Sequence, residues 1–123
     1  MRTTYTRLYV DFEGISHFED IDIALTPGFV PHPADPLLVA PFVKTQKCSW
    51  ICASPDWDGT MPHPSPGRVL YVTVRGAARI TASDGTSRLF SPGDVLLAED
   101  TWGAGHSTEV MAPDGFLSLA FSL

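Results

Sequence analysis

Three side chains in this sequence have types and settings that suit proton-transfer chemistry: His63, His106 and Glu99, the last followed directly by Asp100. His63 stands in Met61-Pro-His-Pro-Ser-Pro66, where flanking prolines restrict the backbone and hold an imidazole in one orientation. His106 follows Gly103-Ala-Gly105 at the start of a strand-like run. An imidazole titrates near neutral pH, so it can take up and return a proton. Two adjacent carboxyls push one pKa upward, which makes an acid available beside the base. In this arrangement His63 or His106 is the base, and Glu99 is the acid or an orienting group. Plainer readings stand beside it: a proline-loop histidine, a turn histidine, and an acidic strand end facing water.

Other residues suit binding. Arg68 lies one position before the strongest strand-like run, Val69–Arg75, and could clamp a substrate carboxylate bidentately or pair with an outer acid. Trp57 and Trp102 fall away from strand centres, as expected for the wall of an apolar pocket or for core filling; Trp50 reads as core. His17 has little support as a site residue, and His32 reads as surface. The sequence contains no Gly-x-Ser-x-Gly, phosphate-binding loop, Gly-x-Gly-x-x-Gly or His-Glu-x-x-His motif.

The elements that must position these residues are strands. Eleven prolines and ten glycines interrupt the chain so often that no amphipathic helical window survives. Strand-like runs cover 7–11, 18–25, 37–43, 46–53, 69–75, 77–82, 87–90, 95–98, 106–111 and 116–123. Asp84-Gly85 between two of them predicts a hairpin. The run Val69-Leu-Tyr-Val-Thr-Val74 is apolar on both faces and predicts a central strand. The segment 27–41 carries Pro27, Pro31, Pro33, Pro36 and Pro41 and predicts a semi-rigid extended loop, not a strand. Many short strands separated by turns predict an all-β sandwich or barrel.

Length and composition bound the rest. A chain of 123 residues, 44% hydrophobic and 18% charged, is expected to form one folded domain over 1–123. A net charge of −6 with only scattered basic residues argues against a nucleic-acid partner. The absence of a long apolar run or an apolar N-terminal segment leads to the expectation of no membrane partner and a cytoplasmic protein. Cys48 and Cys52 on one strand would lie about 13 Å apart, too far for a disulfide, and are expected as reduced thiols packed like small apolar groups.

Over about 59–110 the chain resembles the cupin superfamily. One family motif reads G-x5-H-x-H, three or four residues, E, six residues, G. Set on Gly76, it places His63 on the first histidine, Ser65 on the second and Val69 on the glutamate, with Gly59 near the leading glycine. The second motif reads G-x5-P-x-G-x2-H-x3-N. Here Pro92-Gly93-Asp94 supplies the glycine, Glu99 and Thr101 replace the proline and second glycine, His106 arrives two positions late, and Val110 replaces the asparagine. The resemblance implies a small cupin: a jelly-roll β-barrel of two antiparallel sheets with a central pocket. It implies that His63 and His106 face that pocket as rim residues, that Tyr71 and Thr73 point inward, and that Glu99 lies near the ligand. It also implies a homodimer formed through the outer face of Leu70, Val72 and Val74 and a free N-terminal strand.

With two of the four usual ligands replaced, no cofactor is expected; a divalent metal, if bound, would use His63 and His106. The expected function is an enzyme that moves a proton (isomerase, cyclase or lyase) on a small, partly apolar organic molecule carrying a carboxylate or carbonyl. The alternatives are a metal-dependent oxygenase and a non-catalytic module that binds or senses a small ligand.

Overall fold

The structure, a computed structural model, describes residues 1–28 and 30–123. Twelve strands and no helix occur among them: β1 (Arg2–Val10), β2 (Ser16–Ala24), β3 (Thr26–Gly28), β4 (Leu37–Val39), β5 (Lys47–Ala53), β6 (Gly59–His63), β7 (Val69–Gly76), β8 (Ala78–Ala82), β9 (Ser87–Phe90), β10 (Val95–Ala98), β11 (His106–Val110) and β12 (Phe116–Ser122). The protein is all-β. A six-stranded sheet runs β2-β1-β10-β7-β12-β5, a four-stranded sheet runs β6-β11-β8-β9, and β3 pairs with β4. None of these sheets closes on itself.

Local chemistry explains the turns. The Asp11 carboxylate accepts the backbone N–H of Glu13 and of Ile15, which folds β1 back onto β2. Asp84 accepts the N–H and hydroxyl of Thr86, and Gly85 at φ 91° closes the β8–β9 hairpin as its Asp-Gly signal predicts. In the Pro92-Gly93-Asp94 turn, Asp94 accepts the Ser91 N–H at 2.9 Å. The same turn exchanges two backbone hydrogen bonds with Thr73, which seats it on β7. As its two apolar faces predict, β7 is central, paired with β10 on one side and β12 on the other.

Several expectations need correction. The pairing is not wholly antiparallel, because β1 runs parallel to β10. The N-terminal strand is not free but sits between β2 and β10, with nine residue pairs tying it to β2. Residues 37–39 form a strand within the strand-like run 37–43, and it pairs with 26–28, so a short antiparallel ladder containing Pro27 stands within the segment 27–41 that was expected as an extended loop; position 29 is outside the described residues. Residues 59–63, absent from the strand-like runs, form β6 at the edge of the smaller sheet, a position where Pro62 is tolerated. Trp50 is 65% exposed on the edge strand β5 and fills no core. Cys48 and Cys52, also on β5, are unbridged as expected, but both are exposed.

The two larger sheets face one another. Leu8 and Leu96 from one, and Ile80, Ala82 and Phe90 from the other, form the buried core, with Phe18 and Tyr71 packed against it. Burying each large apolar side chain contributes roughly 1.5–3 kcal/mol.

Candidate functional site

The core fills only part of the space between the sheets. Beside it lies a cavity of about 260 Å³, with Ile80, Phe90 and Leu96 shared between core and cavity wall. Ile51, Trp57 and Phe116 supply further apolar wall; Tyr71, Thr73, Thr108, His63 and His106 bring polar groups to it. Ligand pockets commonly span about 300–1,000 Å³, so this one suits a small molecule. Strand alternation explains the lining. Tyr71 and Thr73 share one face of β7, and Leu96 and Ala98 share one face of β10. Trp57 comes from the loop before β6, its indole lying over Gly59 where a Cβ would fall within 2.2 Å of the ring.

The two histidines meet because β6 and β11 are neighbours, with His63 and His106 in register. Their ring centroids lie 5.4 Å apart. Gly105 makes this approach feasible: at φ 74°, it lies where a Cβ would come within 2.1 Å of the His63 backbone. The His63 Nδ1–H donates to the carbonyl of Met61 at 3.1 Å. A carbonyl only accepts, so in neutral His63 the hydrogen is on Nδ1 and Nε2 carries the lone pair.

His106 is held more firmly. Its Nδ1–H donates to Oδ2 of Asp100 at 2.6 Å. Asp100 is completely buried, and the His106 side chain is 14% exposed, which makes it a part-buried member of a buried pair and not the rim residue expected. The Asp100 backbone carbonyl accepts the Ser65 N–H, anchoring the loop before β11. Oδ1 of Asp100 has no hydrogen-bond partner among the described residues. A carboxylate taken out of water needs compensation, and the hydrogen bond from the imidazole supplies part of it. A fixed tautomer with Nε2 unpartnered is the arrangement that a general base uses.

Glu99 lies elsewhere. It accepts from Arg7 Nε at 2.6 Å and from Arg68 Nε at 2.6 Å, and it does not line the cavity. Burial alone would raise its pKa, but the hydrogen bonds from Arg7 and Arg68 overcome this and hold the carboxyl below its usual range. Arg7 also pairs with Glu19 and lies 4.8 Å over the Tyr9 ring, so the network sits on the outer side of the large sheet. Arg68 is therefore engaged by an outer acid, the second of its two readings. Trp102 is 51% exposed and packs against Gly14, apart from the cavity wall. Of the eight residues singled out from the sequence, the cavity gathers His63, His106, Tyr71, Thr73 and Trp57, and leaves Glu99, Arg68 and Trp102 outside.

In the sequence Asp100 reads as Glu99's partner in an acidic pair and as a candidate third metal ligand, not as the partner of His106. Period-two alternation could have assigned it: continuing Leu96 and Ala98 by two positions reaches Asp100, whereas Glu99 continues the opposite face. His17 has the reverse character. Its Nε2 meets Asp11 at 2.6 Å and its Nδ1 meets Asp84 at 3.0 Å, so both nitrogens are taken.

The cupin resemblance brings a metal into question, and the donors here do not fit one. Ser65 donates its hydroxyl to the Gly67 carbonyl, Val69 has no donor, Asp100 is engaged by His106, and Glu99 by two arginines. Among the described residues no three of His, Cys, Asp and Glu converge as ligands. Two imidazoles alone fall short of the three protein ligands that a tightly held divalent ion needs. Compared with protein-family models and with curated proteins, the chain matches none.

Proposed function

We propose that this chain is a cupin-like, single-domain enzyme that moves a proton on a small, partly apolar molecule bound between its two sheets. The observation that carries the reading is the buried Asp100–His106 pair with its bare Nε2 on an apolar cavity. His106 takes the proton. Asp100 fixes its tautomer and stabilises the imidazolium. His63, 5.4 Å away by ring centroids, is placed to receive or return a proton on the same ligand. Isomerisation, cyclisation and elimination all need this step. The jelly-roll assignment is supported by two facing sheets enclosing a cavity and by the Pro92-Gly93-Asp94 turn on β7. A homodimer remains part of the proposal, resting on the resemblance and on the 40% exposure of Val74.

Two rival readings can be separated from it. A metal-dependent oxygenase would show a loss of several degrees in Tm on dialysis against a chelator, because a metal at 100 times its Kd adds about 2.7 kcal/mol; we expect no change. A non-catalytic binding module would hold ligands without altering them. The test is deuterium exchange into carbon-bound positions of ligands found by thermal-shift screening, followed by proton NMR in D2O. The proposal expects exchange that falls about 10²- to 10⁴-fold in Asp100→Asn. Ligands that occupy the cavity and never exchange would contradict it and favour the binding module.

A further inference from the structure

The charge inventory of the cavity narrows the ligand. None of the eight Lys and Arg residues lines it. Arg7 and Arg68 are fastened to Glu99 on the outer side, and Arg75 lines a neighbouring pocket with Cys52 and Phe116 and not the wall of this cavity. Arg79 pairs with Glu109, and Arg88 with Asp20. The charge closest to His106 is instead the fully buried Asp100 carboxylate, and the whole chain carries −6. A carboxylate or phosphate entering this space would lose its hydration, meet no cation, and feel Asp100 as a like charge.

Hydroxyls are plentiful by contrast: Tyr71, Thr73 and Thr108 all reach the cavity. Tyr71 lines the same cavity as His63 and His106. Burial first, and the Asp100 charge second, hold its phenol above its usual range, so it stays protonated at neutral pH and can donate its O–H. Its strand, β7, also lies next to β10, the strand that leads into Asp100.

From this geometry we infer that the substrate is an uncharged carbonyl compound, its oxygen held by the Tyr71 hydroxyl and its α-carbon turned to His106 Nε2. The inference rests on the proton-transfer reading and specifies the ligand class for the same site. In the step, the α C–H bond breaks and its proton passes to Nε2. The freed electron pair forms the carbon–carbon double bond, and the carbonyl π pair moves onto oxygen, where the Tyr71 hydrogen bond stabilises the enolate. Delivery of a proton to the opposite face of that carbon, or to a further carbon of a conjugated enolate, completes an isomerisation without any redox partner.

Three size-matched probes test this: 1-tetralone, which has the carbonyl; tetralin, which lacks it; and tetralin-1-carboxylate, which is anionic. Dissociation constants come from titration calorimetry, the carbonyl stretch of bound 1-tetralone from infrared difference spectra, and α-deuteration from NMR. We expect 1-tetralone to bind about three- to tenfold more tightly than tetralin, with a lowered carbonyl frequency. Tyr71→Phe, which keeps the ring and its packing, should abolish both the preference and the frequency shift. The carboxylate should bind at least about tenfold more weakly than the ketone. Equal or tighter binding of the carboxylate overturns the inference, as does failure of both neutral probes to bind, or a preference that survives Tyr71→Phe. The exchange measurement keeps the two claims apart. A ketone held by Tyr71 that never exchanges leaves the ligand class standing and removes the proton-transfer reading.

Discussion

Two histidines in this protein each sit against aspartate, and the contrast between them separates chemistry from architecture. His17 has both nitrogens occupied, by Asp11 and Asp84, and all three side chains are partly exposed. It joins the β1–β2 turn to the β8–β9 hairpin, a link reinforced by Ser16 and Ser83. Nothing remains on that ring to bind or deprotonate a ligand. His106 has one nitrogen taken by a fully buried aspartate and the other free beside an apolar cavity. The same residue types thus make a clamp where both ring nitrogens are used and, in the proposed mechanism, a base where one is spared. Burial adds a second difference, since charge interactions are screened at the exposed clamp and strengthened at the enclosed pair.

The sharpest way to break this contrast is to change the two aspartates in turn. Asp100→Asn should lower the α-exchange rate about 10²- to 10⁴-fold, whereas Asp84→Asn at the clamp should leave it unchanged; NMR exchange in D2O checks both. Removing the imidazole is expected to act on stability as well. His106→Ala leaves Asp100 buried without its partner, a loss of about 3–5 kcal/mol readable in urea unfolding. His63→Ala, at an exposed edge-strand position, should cost about 0.5 kcal/mol or less. Gly105→Ala tests how the two histidines are brought together. The strained backbone and the approach to His63 should cost about 2–3 kcal/mol and weaken ligand binding. Glu99→Gln should cost only about 0.5–1 kcal/mol, since its arginines are well exposed, and should leave exchange intact.

The clamp has its own signature in pH. The Asp11 hydrogen bond, helped by Asp84 against partial burial, raises the His17 pKa above 6.5. That stabilisation is complete below 6.5 and is lost as pH rises through the raised folded value. The hydrogen bond from His17 lowers the Asp11 pKa below 3.8, a contribution present above 3.8 and lost as pH falls through the lowered value. The Tm difference between wild type and His17→Gln should therefore be widest between about pH 3.8 and 6.5 and shrink on either side. A difference independent of pH would mean that His17 acts by packing alone.

Much of this architecture was legible in the sequence because its signals are local. Turn chemistry at Asp84-Gly85 and Pro92-Gly93-Asp94, and the doubly apolar run of β7, depend on neighbours along the chain. What escaped depends on pairing. β6 contains a proline and little alternation, and it becomes a strand only because β11 lies beside it. The parallel β1–β10 pair joins segments ninety positions apart, as Thr6 opposite Leu96 illustrates. At the site, His63, His106, Tyr71 and Thr73 were found through a motif, yet the acid was assigned to Glu99 when it is the neighbouring Asp100 that pairs with His106. Glu99 is drawn outward by Arg7 and Arg68, one of them 92 positions away, and no local pattern shows such a partner.

The most direct test is a long-range proton–nitrogen NMR spectrum of the histidine rings in the wild-type protein and in Asp100→Asn. In neutral His106 the hydrogen should lie on Nδ1 with Nε2 bare, and this preference should weaken or reverse in the variant while the His17 signals stay in place. Hydrogen on Nε2 of wild-type His106, or a tautomer unmoved by Asp100→Asn, would contradict the assignment of this pair as the base.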